Sequence, residues 1–279
     1  MSVVNGQNDQ KLKFVLDAVP NGYLVDSQWM RSNSVARQSV HDYLKRGWLE
    51  RAGHGLYRRP VSLRSRDSDL MDWQTAVLSA QWIMNYAIHV GGESALRLGG
   101  HSHYVALGPG RRIFLYGAEQ PSWLFKLPLD AQLERRSLRL FDGDDFGVEP
   151  ERANLEAFGG TDSAAWPLRA STPERAILEA LDELPKTASF HVVDMAFQSL
   201  ANLRPKRLSK LLNLCTSVKV KRLFFVFAER HGHAWLRHVD RSGIDLGKGD
   251  RELVKGGKMH KAYRITVPVE LLAGGAHGE

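Results

Sequence analysis

Apolar residues recur at three- and four-residue intervals early in the chain. Leu12, Val15, Leu16 and Val19 share one face of an expected helix over 10–19, which Pro20-Asn21-Gly22 ends. After a short apolar run, Tyr23 to Val25, the Asp26 carboxylate can accept first-turn amide hydrogens of a second short helix carrying Trp29 and Met30. Arg31 to Asn33 make the turn. A third helix is expected from near Ser34 to about Arg46, with Val40 and Leu44 inward and Val35 and Tyr43 at the margins of that stripe. Its polar side presents Arg37, Gln38, His41, Asp42 and Lys45.

Gly47 permits a left-handed backbone and stops the helix. Trp48 to Arg51 then reads as a strand, Ala52-Gly53-His54-Gly55 as a hairpin turn and Leu56 to Arg59 as the returning strand. Three helices followed by a glycine-bounded hairpin make a winged helix-turn-helix. A helix of this kind fits the major groove of double-stranded DNA, where Arg can fork onto guanine and Gln onto adenine. Arg37, Gln38 and Ser39, in the first turn of the third helix, are the expected base readers, with His41 and Lys45 on the same element. Arg51, His54, Arg58 and Arg59 of the hairpin are expected to meet phosphate or a minor groove. The competing reading is a small helical domain with a solvated polar face; the order of elements favours DNA.

Pro60 to Asp69 is polar and proline-led, as an interdomain linker would be. Beyond it, the spacing predicts a helix over Met71 to Tyr86, glycine-bounded turns around a short helix over Ser94 to Leu98, and strands at Arg112 to Tyr116 and Leu138 to Phe141. Ser171-Thr172-Pro173-Glu174 opens a helix running to about Leu184, with Ser171 or Thr172 as cap. Further helices are expected over 190–202 and 205–216; the stretch 218–236 alternates at first as a strand would, yet Leu223 to Arg230 fits helical spacing equally well and helix is favoured, and a last strand is expected over Ala262 to Val267. The expected fold class is α+β. A winged helix-turn-helix occupies 1–62, a linker 63–69, and a larger mixed α/β domain 70–279.

Charge is unevenly placed: residues 1–66 carry +6, 67–198 carry −8 and 199–279 carry +9. A basic amino-terminal segment agrees with phosphate binding, although solvated Lys and Arg faces are the commoner cause of such a count. In the third segment, Arg204, Arg207 and Lys210 recur at about three-residue spacing opposite Leu208, Leu211 and Leu212. With Lys206, Lys219, Lys221 and Arg222 they form either a solvated face or a contact surface. No apolar run approaches the roughly 18 residues a membrane span needs, and the first residues lack a signal-peptide pattern, so a cytoplasmic protein is expected. Cys215 is the only cysteine and is expected to be buried and inert.

No catalytic residue, metal site or cofactor is expected. Gly92 to Leu96 approaches a nucleophile elbow but lacks its final glycine and a convincing preceding strand. Asp142-Gly143-Asp144-Asp145 suits a tight turn better than a cation. His101 and His103, and His231, His233 and His238, have no metal-ligand spacing. The chain has no Glu-x-Lys, which a winged helix fused to a restriction-like nuclease would use to hold magnesium. A third alternative is an interaction module whose acidic middle segment docks a basic protein.

The stretches GWLERAGHGLY, HVGGESALRLGGHSHY, STPERAILEAL, NLRPKRLSKLL, SVKVKRLFFVFAERHGHAWL and IDLGKGDRELVKGGKMHKAY occur in the order found in AbiEi-type antitoxins of type IV toxin-antitoxin systems. Over most of its length the chain resembles that family. The resemblance implies a winged helix that binds inverted repeats and represses its own operon. It also implies a carboxy-terminal domain, holding the basic residues 204–222 as a possible antitoxin surface, that counteracts a nucleotidyltransferase-type toxin without a stable complex.

Overall fold

The computed structural model describes residues 2–61, 70–101, 111–151 and 166–272. The expected linker at 63–69 and His103 lie outside them. The amino-terminal unit runs α1 (Ser2–Ala18), β1 (Leu24–Asp26), α2 (Ser27–Ser32), α3 (Arg37–Lys45), β2 (Glu50–Gly53) and β3 (Leu56–Arg58), with an antiparallel sheet ordered β1-β3-β2. This is a winged helix. Val15 of α1, Val19 just after it, and Val40 and Tyr43 of α3 are buried with Leu24, Val25, Leu49 and Leu56; Tyr43, expected at the margin of the α3 stripe, is inside it, while Leu44 is half-buried.

The larger part has a five-stranded mixed sheet ordered β6-β5-β4-β8-β7, from β4 (Ile88–Val90), β5 (Arg112–Gly117), β6 (Gln132–Arg136), β7 (Val148–Glu151) and β8 (Leu168–Ser171). β4 is antiparallel to β5 and parallel to β8. Against it lie α4 (Trp73–Leu78) and α5 (Gly92–Leu98), followed by α6 (Pro173–Asp182), α7 (Phe190–Ser199), α8 (Pro205–Leu214) and α9 (Val218–His231). Val220, Leu223 and the run Phe224 to Ala228 make α9 apolar around most of its circumference, and it is correspondingly buried. Phe197 of α7 stacks on Phe227 with centroids 5.1 Å apart. A hairpin of β9 (Lys258–His260) and β10 (Ile265–Val267) packs on α9.

Several expectations are corrected. The helix expected over Met71 to Tyr86 is α-helical only to Leu78 and continues as a π-helical segment, Ser79–Ile83, where the Ser79 hydroxyl donates back to Thr75 O at 2.6 Å. Leu138 to Phe141 is not a strand. Leu138 and Leu140 alternate with Arg139, but pairing with β5 ends at Arg136, and Asp142 and Gly143 take left-handed backbones after a 3-10 turn at Arg139–Phe141. The helix expected over 218–236 stops at His231 because Gly232 adopts φ +60°. Strand β4 does precede Gly91-Gly92, contrary to the reading of that segment.

Candidate nucleic-acid interface

Asp26 begins the helix pair α2–α3. Its Oδ1 accepts from Trp29 N at 2.8 Å, capping α2 as the sequence suggested. The turn into α3 is fixed by Val35 N donating to Met30 O at 2.9 Å and by Ser34 at φ 57°. On α3, Arg37, Gln38, His41 and Lys45 are exposed while Val40 and Tyr43 point inward. Ser39 is half-buried, and its hydroxyl bonds the Tyr43 hydroxyl one turn along, which turns it away from an outward role.

The hairpin is short. Ser27 N and Oγ both donate to Gly55 O, at 2.8 and 3.0 Å, so the turn lies against the start of α2. Gly55 has φ +65°, and a Cβ there would stand 2.9 Å from Ser27 Oγ, so only glycine fits. α2, α3 and this hairpin enclose a groove of about 440 Å³. Arg31, Arg37, His41, Arg51 and His54 line it, with Met30, Val35, Val40, Leu44 and Tyr57, and no Asp or Glu does. Such a concavity concentrates positive potential without an internal counter-charge.

Two wing arginines are placed elsewhere. Arg59 Nη1 donates to Val19 O at 2.8 Å and to Leu16 O, tying down the last turn of α1, and Arg58 Nε donates to Gly22 O at 3.1 Å. Both sit at the base of the hairpin, where the carbonyls ending α1 need donors. Arg58 and Arg59, expected to meet phosphate, thus give these nitrogens to backbone carbonyls of the fold. Arg31, read as a turn residue, lines the groove. Its place beside the connection between the two helices, six residues before Arg37, was the available signal.

The basic residues of 204–222 do not form one surface. Arg204 and Lys206 are exposed, and the Lys210 ammonium lies 3.8 Å from the centroid of the Phe146 ring. Arg207 pairs with Glu149 at 2.5 Å, and Lys219 donates to Leu184 O at 2.9 Å. Lys221 and Arg222 are buried, which removes them from any surface. Arg222 donates to Leu246, Gly249 and Arg264 carbonyls at 2.7 to 2.9 Å, bracing the glycine-rich loops before β10.

Segments HVGGES and STPERAILE meet in a buried knot. Glu179 Oε1 bonds Arg175 Nε at 2.9 Å and lies 3.4 Å from His89 Nε2; Oε2 accepts from Gly92 N and Ser171 Oγ, each at 2.8 Å. Burial alone would raise the Glu179 carboxyl, but these donors overcome it and hold the group below its ordinary range. Ser94, the would-be nucleophile, is 1% exposed and its oxygen accepts from Phe114 N at 3.0 Å, so it serves the sheet. Asp142 to Asp145 form a turn in which Asp144 Oδ1 accepts from Phe146 N at 2.6 Å. His231 bonds Asp194 and His233 bonds Phe197 O, each at 2.7 Å. Among the described residues no helix is long and apolar enough to cross a membrane.

Comparison with curated proteins finds no match. Among solved structures, the crystal structure of the RV2827C protein from Mycobacterium tuberculosis is similar in fold, with a TM-score of 0.54 at 16% identity over 90% of this chain and 89% of that one. Two family models match. Residues 8–107 match the transcriptional regulator, AbiEi antitoxin N-terminal domain, and residues 111–268 match the transcriptional regulator, AbiEi antitoxin, of type IV toxin-antitoxin systems. The chain thus belongs to the AbiEi family of type IV toxin-antitoxin transcriptional regulators.

Proposed function

We propose that the winged helix binds double-stranded DNA at inverted repeats upstream of its own operon and represses it. In the same reading, the part beyond 63–69 counteracts a cognate nucleotidyltransferase-type toxin without forming a stable complex. The observation that carries the DNA half is the acid-free groove between α3 and the hairpin, with Arg31, Arg37, His41, Arg51 and His54 around it. Each phosphate neutralised there releases condensed counterions, so affinity falls steeply with salt. Arg37 and Gln38, exposed in the first turn of α3, read base edges. Lys45 extends that exposed side. Arg31, Arg51 and His54 hold the backbone beside it.

Gel-shift of the full chain on its upstream DNA, against a scrambled duplex over a range of salt, tests this half. Tighter binding to the upstream DNA with a steep salt slope supports it, and equal affinity for both duplexes overturns it. Co-expression with the neighbouring toxin gene, scored by growth, tests the other half, and absence of rescue overturns it.

A further inference from the structure

The geometry points to Tyr86 and Trp123 as positioning residues that set the DNA-reading helices from outside the winged helix, through Asp26. This rests on the DNA-binding reading above and adds to it a specificity determinant that touches no DNA.

Asp26 is 6% exposed, and a carboxylate so buried needs its lone pairs filled. One oxygen caps α2 through Trp29 N. The other accepts from Tyr86 Oη at 2.6 Å and from Trp123 Nε1 at 3.3 Å, both beyond the linker. A carboxylate is planar and rigid, so the amide that starts α2 and the two aromatic donors are held in one fixed relation. Burial, followed by the Asp26 bond, pushes the Tyr86 hydroxyl up to about 12, so it stays protonated and donating across the physiological range.

A second bond fixes the same edge: Leu24 N donates to Ser79 Oγ at 3.0 Å. β1 is the edge strand of its sheet, and the π-helical segment covers it. Met84 N bonding to Ser79 O at 3.0 Å and Tyr86 N to Ala80 O at 2.8 Å show how the widened turn holds Ser79 and Tyr86 toward β1. Tyr23 meets Trp166 edge-on at 5.4 Å.

The consequence lies in α2. It carries Arg31 at its end and leads within five residues to Arg37, so any shift of its start moves both sides of the inter-helix turn. Base hydrogen bonds tolerate only tenths of an ångström, whereas phosphate attraction tolerates more. Losing the Asp26 anchor must then cost sequence-specific binding more than non-specific binding.

The test uses the full chain carrying Tyr86→Phe, Trp123→Phe or both, with Ile265→Val in the distant β10 as a stability control. Affinities are measured for the inverted-repeat DNA upstream of its own coding sequence and for a scrambled duplex of equal length, alongside the melting temperature. Tyr86→Phe is expected to weaken inverted-repeat binding about 10- to 150-fold, the range expected of one hydrogen bond to a charged group. Scrambled-duplex affinity should stay within about twofold and the salt slope should be unchanged. Ile265→Val should alter neither affinity. Wild-type discrimination retained in both Tyr86→Phe and Trp123→Phe, or equal losses on the two duplexes, overturns the inference while leaving DNA binding intact. A wild-type chain that does not discriminate overturns the DNA-binding reading itself and the inference with it. If Tyr86→Phe does not fold, Trp123→Phe alone decides.

Discussion

Glu179 crowds the backbone at Gly91 so closely that a Cβ there would stand 2.4 Å from its Oε2 and 2.6 Å from the Tyr116 ring. The HVGG and STPE segments are thereby locked in a fixed relation, α5 packed along α6. Gly91→Ala is expected to destabilise the chain by about 1–3 kcal/mol through overpacking. Glu179→Gln is expected to cost about 3–5 kcal/mol, because it leaves Arg175 buried without its counter-charge. Urea midpoints measure both, and a midpoint unchanged in either variant contradicts that lock.

The groove predicts a division among the arginines. Arg37→Ala should weaken binding to the inverted repeat by about 1–3 kcal/mol and relax specificity. Arg31→Ala and Arg51→Ala should weaken both specific and scrambled DNA and lower the salt slope by about one unit each. Arg59→Ala, whose partners are carbonyls of α1, should lower the melting temperature and leave the slope alone. Gel-shifts over a salt series separate the three classes.

Asp194 supplies a pH test. Burial opposes its charge, yet the His231 bond at 2.7 Å and Arg230 at 3.1 Å hold its carboxyl below the usual range. Its folded value is depressed, so its contribution to stability is complete above the unfolded value of about 3.9 and is lost as pH falls through the folded one. The melting-temperature difference between wild type and Asp194→Asn should be large at about pH 5.5 and shrink toward about pH 3. A constant difference would contradict the pairing.

A cut within 63–69 should separate the two proposed activities unequally. Residues 70–279 should still oppose the toxin in co-expression and lose operator binding. Residues 1–62 alone would uncover the Tyr23 ring that meets Trp166, together with Leu24 N and Asp26 Oδ2. That piece should bind DNA weakly and regain affinity when 70–279 is supplied separately. Strong operator binding by 1–62 alone would contradict the role given to the β1 edge.

Much of the winged helix was legible because its signals are local. Helical spacing, the Asp26 cap and the Gly47 and Gly55 punctuation each act within a few residues. The failures are long-range. Nothing near Arg59 in sequence announces that α1 carbonyls wait for it, and the partners of Asp26 are 60 and 97 residues away. Lys221 and Arg222 read as surface cations because an Arg satisfied by three carbonyls looks the same in sequence as a solvated one. The π-helical segment follows from a serine bonded back to the preceding turn while also accepting from β1, which helical periodicity alone does not reveal.

The most direct test of the central claim is footprinting of the purified full chain on the DNA immediately upstream of its own coding sequence. The account predicts protection of an inverted repeat, abolished by Arg37→Ala and Arg51→Ala together and retained when Arg204 and Lys206 are replaced by alanine. Uniform protection along the fragment, or a footprint that survives the Arg37 and Arg51 substitutions, would contradict it.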